Sequence, residues 1–293
     1  MENTNNRILH KNGSRFDDVT LLVSSCDKYE DTWYPFFELL HIYGNNFSSP
    51  IVLNTETKHF TNQHFEIRVI NSPGKMTWSE RMTNVLRQID TEFILLILDD
   101  YFLKDYFGTE RFEKVLNYMR THKDVGFVDI SPRWSASEED VKNNLKNNNI
   151  QDDFYVREKD EWNITLVPSV WRKDFFLNLL RQHEDVWMFE YYSGIRAKKT
   201  GMKVVRFVTR MPTIYEYDFQ VWTGMGITRG QWLPKNVDFF DRHGIEVNFS
   251  NLGILNVTSQ QEIKAMNRHS FVSILNGVKR RIYWRITKSK SIK

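Results

Sequence analysis

The sequence predicts an α/β fold: a mostly parallel sheet flanked by helices and elaborated within a single domain. Three observations predict it. Between residues 18 and 105, apolar strand-like runs alternate with amphipathic helix-like ones. The runs "DVTLLVSS" (18–25) and "FILLIL" (93–98) show no polar alternation, as expected of strands covered on both faces. No internal repeat and no Pro-, Gly- or Ser-rich linker divides the chain.

Taken in order, residues 1–16 are polar and read as a flexible arm, followed by a domain over 17–250. After the strand at 18–25 and the turn-forming "CDKYED", the segment "TWYPFFELLHIYG" places Trp33, Phe36, Phe37, Leu40 and Tyr43 near helical spacing, with Gly44 as C-cap. Short strands follow at 48–56 and 65–71. The stretch 77–90 carries Met82, Val85, Leu86 and Ile89 on one face and predicts an amphipathic helix leading into the strand at 93–98. A helix is expected over 107–122, a strand over 125–131 and an Asn-rich polar loop over 135–153. Residues 163–182 read as a short strand and a helix, 185–201 as a helix closing on Gly201, and 203–209 as a strand. The Gly- and Trp-rich stretch 223–247 reads as a mobile loop before a short helix, and 251–293 as a helical basic extension.

Composition narrows the function classes. A 41% hydrophobic share over 293 residues is enough for a large core. No window reaches the roughly 18 continuous apolar residues of a membrane span, and the N-terminal stretch lacks a signal-peptide apolar region. The single Cys26 excludes an intrachain disulfide and fits a reducing cytoplasm. A net charge of +3 gives no basis for nucleic-acid binding. From Val278 onward, however, seven Lys or Arg residues are interleaved with Ile282, Tyr283, Trp284 and Ile286, without an acid. Such a tail suits either an anionic membrane surface or a solvated helix packed by its apolar side.

The most informative stretch is "FILLILDDYF", where an apolar strand ends on Asp99 and Asp100. Adjacent carboxylates repel each other and resist desolvation, so solvent or a divalent cation has to compensate them. In parallel sheets ligands sit beyond the carboxyl ends of strands, and "SSCDKYED" shares that location. No GxSxG, Walker A or GxGxxG pattern occurs, and no His cluster has metal-ligand spacing.

The segments "VSSCDKYEDTWYPFFELL", "TWSERMTNVLRQIDTEFILLILDDYFL" and "VWMFEYYSGIRAKK" together resemble a bacterial GT-A-type glycosyltransferase over residues 18–250, similar to enzymes that build capsular, lipopolysaccharide or other surface glycans. The resemblance implies a GT-A (Rossmann-like) fold. It also implies transfer from a nucleotide-diphosphate sugar, a UDP-sugar first, to a hydroxyl of a glycan or lipid-linked acceptor. The acid pair is then a variant of that superfamily's DXD motif, lacking two outer aspartates. Asp100 is the expected ligand of Mn²⁺ or Mg²⁺, and Asp99 holds the ribose, a coordinated water or the metal. Ser24, Ser25 and Asp27 match the nucleotide-contacting loop, with Asp27 equally suited to a turn or N-cap. Arg81 matches an arginine presented to the donor phosphates, ahead of Arg87, and Trp78 either walls the donor pocket or packs. A late loop would bring Arg229 and Lys235 to phosphates and Trp232 over the site, with His243 a further metal ligand or a helix cap.

Inverting members need a carboxylate base, and Glu184, Asp185 and Glu190 are on offer. Glu190 leads because Trp187, Phe189, Tyr191 and Tyr192 flank it, and an apolar setting would raise its pKa. Asp185 is the second choice; acids at a helix start also simply suit the dipole. The expected place of action is the cytoplasm, with the inner membrane face as a docking surface. A sugar-phosphate nucleotidyltransferase is disfavoured because "SSCDKYED" has no Gly-rich basic loop; a non-catalytic carbohydrate-binding protein is the remaining alternative.

Overall fold

The computed structural model describes residues 16–45, 47–132, 150–151, 153–157, 164–208, 213–217 and 226–256, with 282–283, 285–287 and 290 near the C-terminus. Its strands are Val19–Ser24 (β1), Ile51–Thr55 (β2), Ile67–Asn71 (β3), Phe93–Leu98 (β4), Val125–Asp129 (β5), Ile150–Gln151 (β6), Phe154–Val156 (β7), Ser169–Arg172 (β8), Lys203–Phe207 (β9), Ile227–Thr228 (β10) and Gln231–Trp232 (β11). The helices are Trp33–Tyr43 (α1), Trp78–Leu86 (α2), Thr109–Thr121 (α3), Lys173–Leu179 (α4), Val186–Ala197 (α5) and Pro234–Arg242 (α6), with a 3₁₀ turn at Asp27–Thr32.

A nine-stranded sheet runs in the order β3-β2-β1-β4-β8-β5-β9-β7-β6. Only β7 and β8 oppose the common strand direction. The expected mostly parallel sheet is therefore present, with one reversed strand between β4 and β5. Alternate residues explain the continuous apolar runs. Leu21, Val23, Phe93, Leu95 and Ile97 pack in one layer with Phe37 of α1 and Leu116 of α3. Leu22, Ile94 and Leu96 face the other way, towards Met82 of α2, Phe176 of α4 and Phe189 of α5. Both sheet faces are thus buried.

Helix boundaries follow local chemistry. Thr77 and Glu80 form a capping box on α2, with the Thr77 hydroxyl accepting from the Glu80 amide at 3.1 Å and the Glu80 carboxylate from the Thr77 amide at 2.8 Å. The helix ends at Leu86, short of the expected residue 90, and Gly44 caps α1 as expected. β5 lies tight against α4: a Cβ on Gly126 would stand 2.5 Å from the Phe175 ring. Gly126→Ala is expected to cost ~1–3 kcal/mol through overpacking. The urea-unfolding midpoint measures it, and an unchanged midpoint would mean that α4 can back away.

Some sequence expectations change. Phe16, assigned to the arm, is buried and meets Phe112 edge-on at 5.2 Å. The polar stretch 135–153 lies mostly outside the described residues, but its end, Ile150–Gln151, pairs with β7 and extends the sheet. The expected loop at 223–247 contains a hairpin, β10–β11. Most of the C-terminal extension lies outside the described residues. Among the described residues no helix is long and apolar enough to cross a membrane.

Candidate active site

β1 and β4 are parallel neighbours with Ser24 level with Leu98, so their next residues, Ser25 and Asp99, meet beyond the sheet edge. The Ser25 hydroxyl donates to Asp99 Oδ2 through a short bond, and Trp33 Nε1 donates to Ser25 Oγ at 2.6 Å. Thr32 Oγ1 lies 3.1 Å from the same Asp99 oxygen and 2.7 Å from the Tyr29 carbonyl. Asp99 thereby ties the 3₁₀ turn after β1 to the tip of β4. It is buried, and burial raises its pKa to about 6 against the pull of the Ser25 and Thr32 hydroxyls.

Asp100 has fewer partners. Its Oδ2 accepts a long bond from the Ile227 amide at 3.3 Å, while its carbonyl accepts from the Gly226 amide at 2.7 Å. The residue is half-buried; desolvation of the carboxylate first, and the Asp99 charge second, raise its pKa to about 8. Among the described residues no cation pairs with either carboxylate. The two adjacent carboxylates titrate as a unit, and both are pushed towards the protonated form. Ionised, two hard oxygen donors at this spot would suit Mg²⁺ or Mn²⁺; Asp99 is committed to its hydroxyl partners, which would leave Asp100 to act as the ligand. Among the described residues no group of three His, Cys, Asp or Glu side chains could hold a metal ion, so ligand and water oxygens would have to complete its shell.

The late segment reaches this edge through its backbone. β10 hydrogen-bonds to Asp100, and at the hairpin tip a Cβ on Gly230 would stand 2.8 Å from Lys28 Nζ. The tip residues Arg229 and Gly230 have φ of +55° and +76°, as a type I′ turn requires. Arg229 is exposed there. Trp232 does not cover the site. It is fully buried, stacked on Phe102 at 5.9 Å and edge-on to Phe240 and Phe249, because the hairpin packs its apolar side on α6. Lys235 is half-buried in the first turn of α6. His243 caps the C-terminus of α6, with Nε2 2.6 Å from the Tyr43 hydroxyl and Nδ1 2.7 Å from the Phe239 carbonyl, so neither ring nitrogen is left for a metal.

Arg81 and Trp78 lie at the α2 start, on the same edge. Arg81 Nη1 is 2.9 Å from Glu56 Oε1 and donates to the Ser25 carbonyl at 3.4 Å. Trp78 Nε1 makes a long contact to Ser24 Oγ at 3.4 Å, while its ring packs on Phe189 at 5.1 Å, a mainly structural position. Arg87 is exposed at the opposite end of α2. Asp27 uses its carboxylate locally: it accepts from the amides of Glu56, Thr57 and Lys58 at 2.9–3.2 Å and from the Thr57 hydroxyl. Desolvation pushes its pKa up, but these bonds outweigh it and hold the carboxyl below its usual range. Asp27 organises the loop after β2. Glu56, which sequence reading missed, joins Arg81 to the Asp27 amide at 2.7 Å. The strand-end logic that singled out Ser24 and Asp99 applies to Glu56 as well.

The three candidate bases have separate fates. Glu184 is buried and pairs bidentately with Arg196. Asp185 N-caps α5 by accepting from the Met188 amide at 2.8 Å. Glu190 is half-buried and its Oε1 accepts from the Leu166 amide at 2.7 Å. Leu166 precedes β8, whose Ser169 pairs with Leu96, so this contact lies towards the carboxyl edge of β4. Among the described residues, the four flanking aromatics do not close together around Glu190. Neighbours in sequence point away from each other on a helix, and Phe189 and Tyr192 are buried while Trp187 and Tyr191 are exposed.

No protein-family model matches the chain, and no curated protein matches it in sequence. Similar solved structures include the mannosyltransferase PcManGT from Pyrobaculum calidifontis in complex with GDP-Man and Mn²⁺, at 10% identity and TM-score 0.44, covering 68% of this chain and 59% of that one. Another is S. aureus TarS 1–349 in complex with UDP, at 8% identity and TM-score 0.45, covering 66% of this chain and 58% of that one. The chain spans less than two thirds of the length of either. At this level of likeness, any function has to be supported by the site's own geometry.

Proposed function

We propose that this chain is a GT-A-type glycosyltransferase that moves a sugar from a nucleotide-diphosphate donor to a hydroxyl of a surface-glycan or lipid-linked acceptor. The observation that carries the reading is the pair of carboxylates at the carboxyl end of β4, Asp99 buried and Asp100 half-buried, without a cationic partner among the described residues. A divalent ion held by Asp100 would supply charge neutralisation for the departing diphosphate. Asp99, anchored by Ser25 and Thr32, holds the strand tip in place beside it. Arg81 and the Arg229 turn, with Lys28 beside it, supply positive charge around the same edge. Glu190, its carboxylate oriented by the Leu166 amide, is the proposed base. The acceptor oxygen bonds to the anomeric carbon as the bond to the diphosphate oxygen breaks; the hydroxyl proton passes to Glu190 and the nucleoside diphosphate leaves. Attack on the face opposite the leaving diphosphate would invert the anomeric centre.

Incubation with UDP-, GDP- and dTDP-sugars and Mn²⁺ tests the reading through the leaving group. Nucleoside diphosphate release is expected with one donor class. Inorganic pyrophosphate would indicate a nucleotidyltransferase instead, and glycan binding without turnover a binding protein. Retention at the transferred anomeric centre, seen by NMR, would remove Glu190 from the role of base.

A further inference from the structure

The outer face of α5 is apolar where a solvated helix would be polar. Trp187 and Tyr191, one helical turn apart, are 53% and 60% exposed. A second apolar stripe lies near the C-terminus, where Ile282 and Ile286 share the same spacing and are 53% and 72% exposed. One hydrogen bond links the segments that carry the two stripes: the Tyr283 hydroxyl donates to the His183 carbonyl at 3.1 Å, just ahead of the α5 N-cap. Arg285 and Lys290 are exposed beside them. Burial lowers the His183 pKa and the buried Glu184 raises it, while the charges of Lys290, Arg196 and Arg181 lower it, so three cations and one acid that is itself paired with Arg196 surround this junction. Residues 278–293 contain seven Lys or Arg and no acid.

We infer that α5 and the C-terminal turn docked on it form one membrane-binding face, with Trp187, Tyr191, Ile282 and Ile286 entering the interface of an anionic bilayer and Arg285 and Lys290 meeting its headgroups. Charge decides the occupant. Large exposed rings flanked by cations match a surface that is apolar below and negative above. The N-terminus of α5 adjoins the α2 start, where Arg81 lies, because the Ser79 amide donates to the Glu184 carbonyl at 3.3 Å. A lipid-linked acceptor held in such a bilayer would be presented at the level of the proposed base. That consequence rests on the transferase reading; the binding itself does not.

Co-sedimentation of the full chain with phosphatidylcholine vesicles, and with vesicles also carrying phosphatidylglycerol, tests the inference without donor or turnover. Binding is expected only to the anionic vesicles and should weaken with salt. The double variant Trp187→Ser/Tyr191→Ser should lose at least about tenfold in affinity, and Arg285→Glu about threefold. Absence of wild-type binding to anionic vesicles would overturn the inference, as would undiminished binding of the double variant. Should that variant keep its vesicle affinity but lose transfer to a soluble glycan, the rings serve the acceptor and the membrane face is wrong. Circular dichroism and the unfolding midpoint establish that each variant is folded.

Discussion

Asp100→Asn is expected to lower nucleoside-diphosphate release by about 10²–10³-fold while leaving the chain folded, because it removes the carboxylate proposed to hold a divalent ion against a leaving diphosphate. The same substitution should stabilise the cation-free protein at alkaline pH. Asp99 and Asp100 have folded-state pKa values of about 6 and about 8, both above the ordinary 3.8. Between those limits the native state retains protons that the unfolded chain releases. In chelator, stability should therefore fall as pH rises from about 4 to about 8, at up to ~1.4 kcal/mol per pH unit for each proton retained. Mn²⁺ should restore stability at pH 8 more than at pH 5, since metal and protons compete for the same oxygens. Urea titrations at three pH values, with and without Mn²⁺, measure all of this. An Asp100→Asn variant with wild-type pH slope and wild-type turnover would show that Asp100 neither holds the proton nor serves the reaction.

The largest expected loss of stability belongs to the buried pair between Glu184 and Arg196. The side chains are 0% and 3% exposed, and two parallel bonds of 2.7 Å link them. Glu184→Gln strands a buried guanidinium and is expected to cost ~3–5 kcal/mol. Glu184→Leu combined with Arg196→Met should cost less than either single change, because no buried charge is left over. Unfolding midpoints of these variants give the comparison. Glu184→Gln should also keep most of its turnover well below its melting temperature; a selective loss of turnover in the folded variant would return Glu184 to the candidate bases.

The sheet was legible wherever the strands are long and covered on both faces. "TLLV" and "FILLIL" permit little else, and the strand-end location of Ser25, Asp99 and Asp100 follows from them. The reversal of β8 was not legible, because a four-residue strand carries no mark of direction. The β10–β11 hairpin was missed because its first tip residue is Arg229, where Asn or Asp would have signalled the left-handed conformation. Trp232 misled for a related reason: a Trp among glycines reads as part of a mobile cover until the hairpin that buries it is known. With Glu190 the error was geometric, since adjacent aromatics in a helical sequence do not enclose the residue between them. Hydrogen bonding made the difference for Asp27, whose partners come from a loop about thirty residues away.

The insertion of β8 between β4 and β5 sets the timetable of biosynthesis. β4 is apolar along its whole length, and one of its edges pairs with β1 while the other waits for a strand encoded about 70 residues later. At roughly 5–20 residues per second, the ribosome leaves that edge bare for several seconds, long enough to recruit a neighbouring nascent chain. A truncation ending before β8 should therefore aggregate rather than persist as a half-domain, and chaperone demand during expression should peak in the interval before residue 172 emerges.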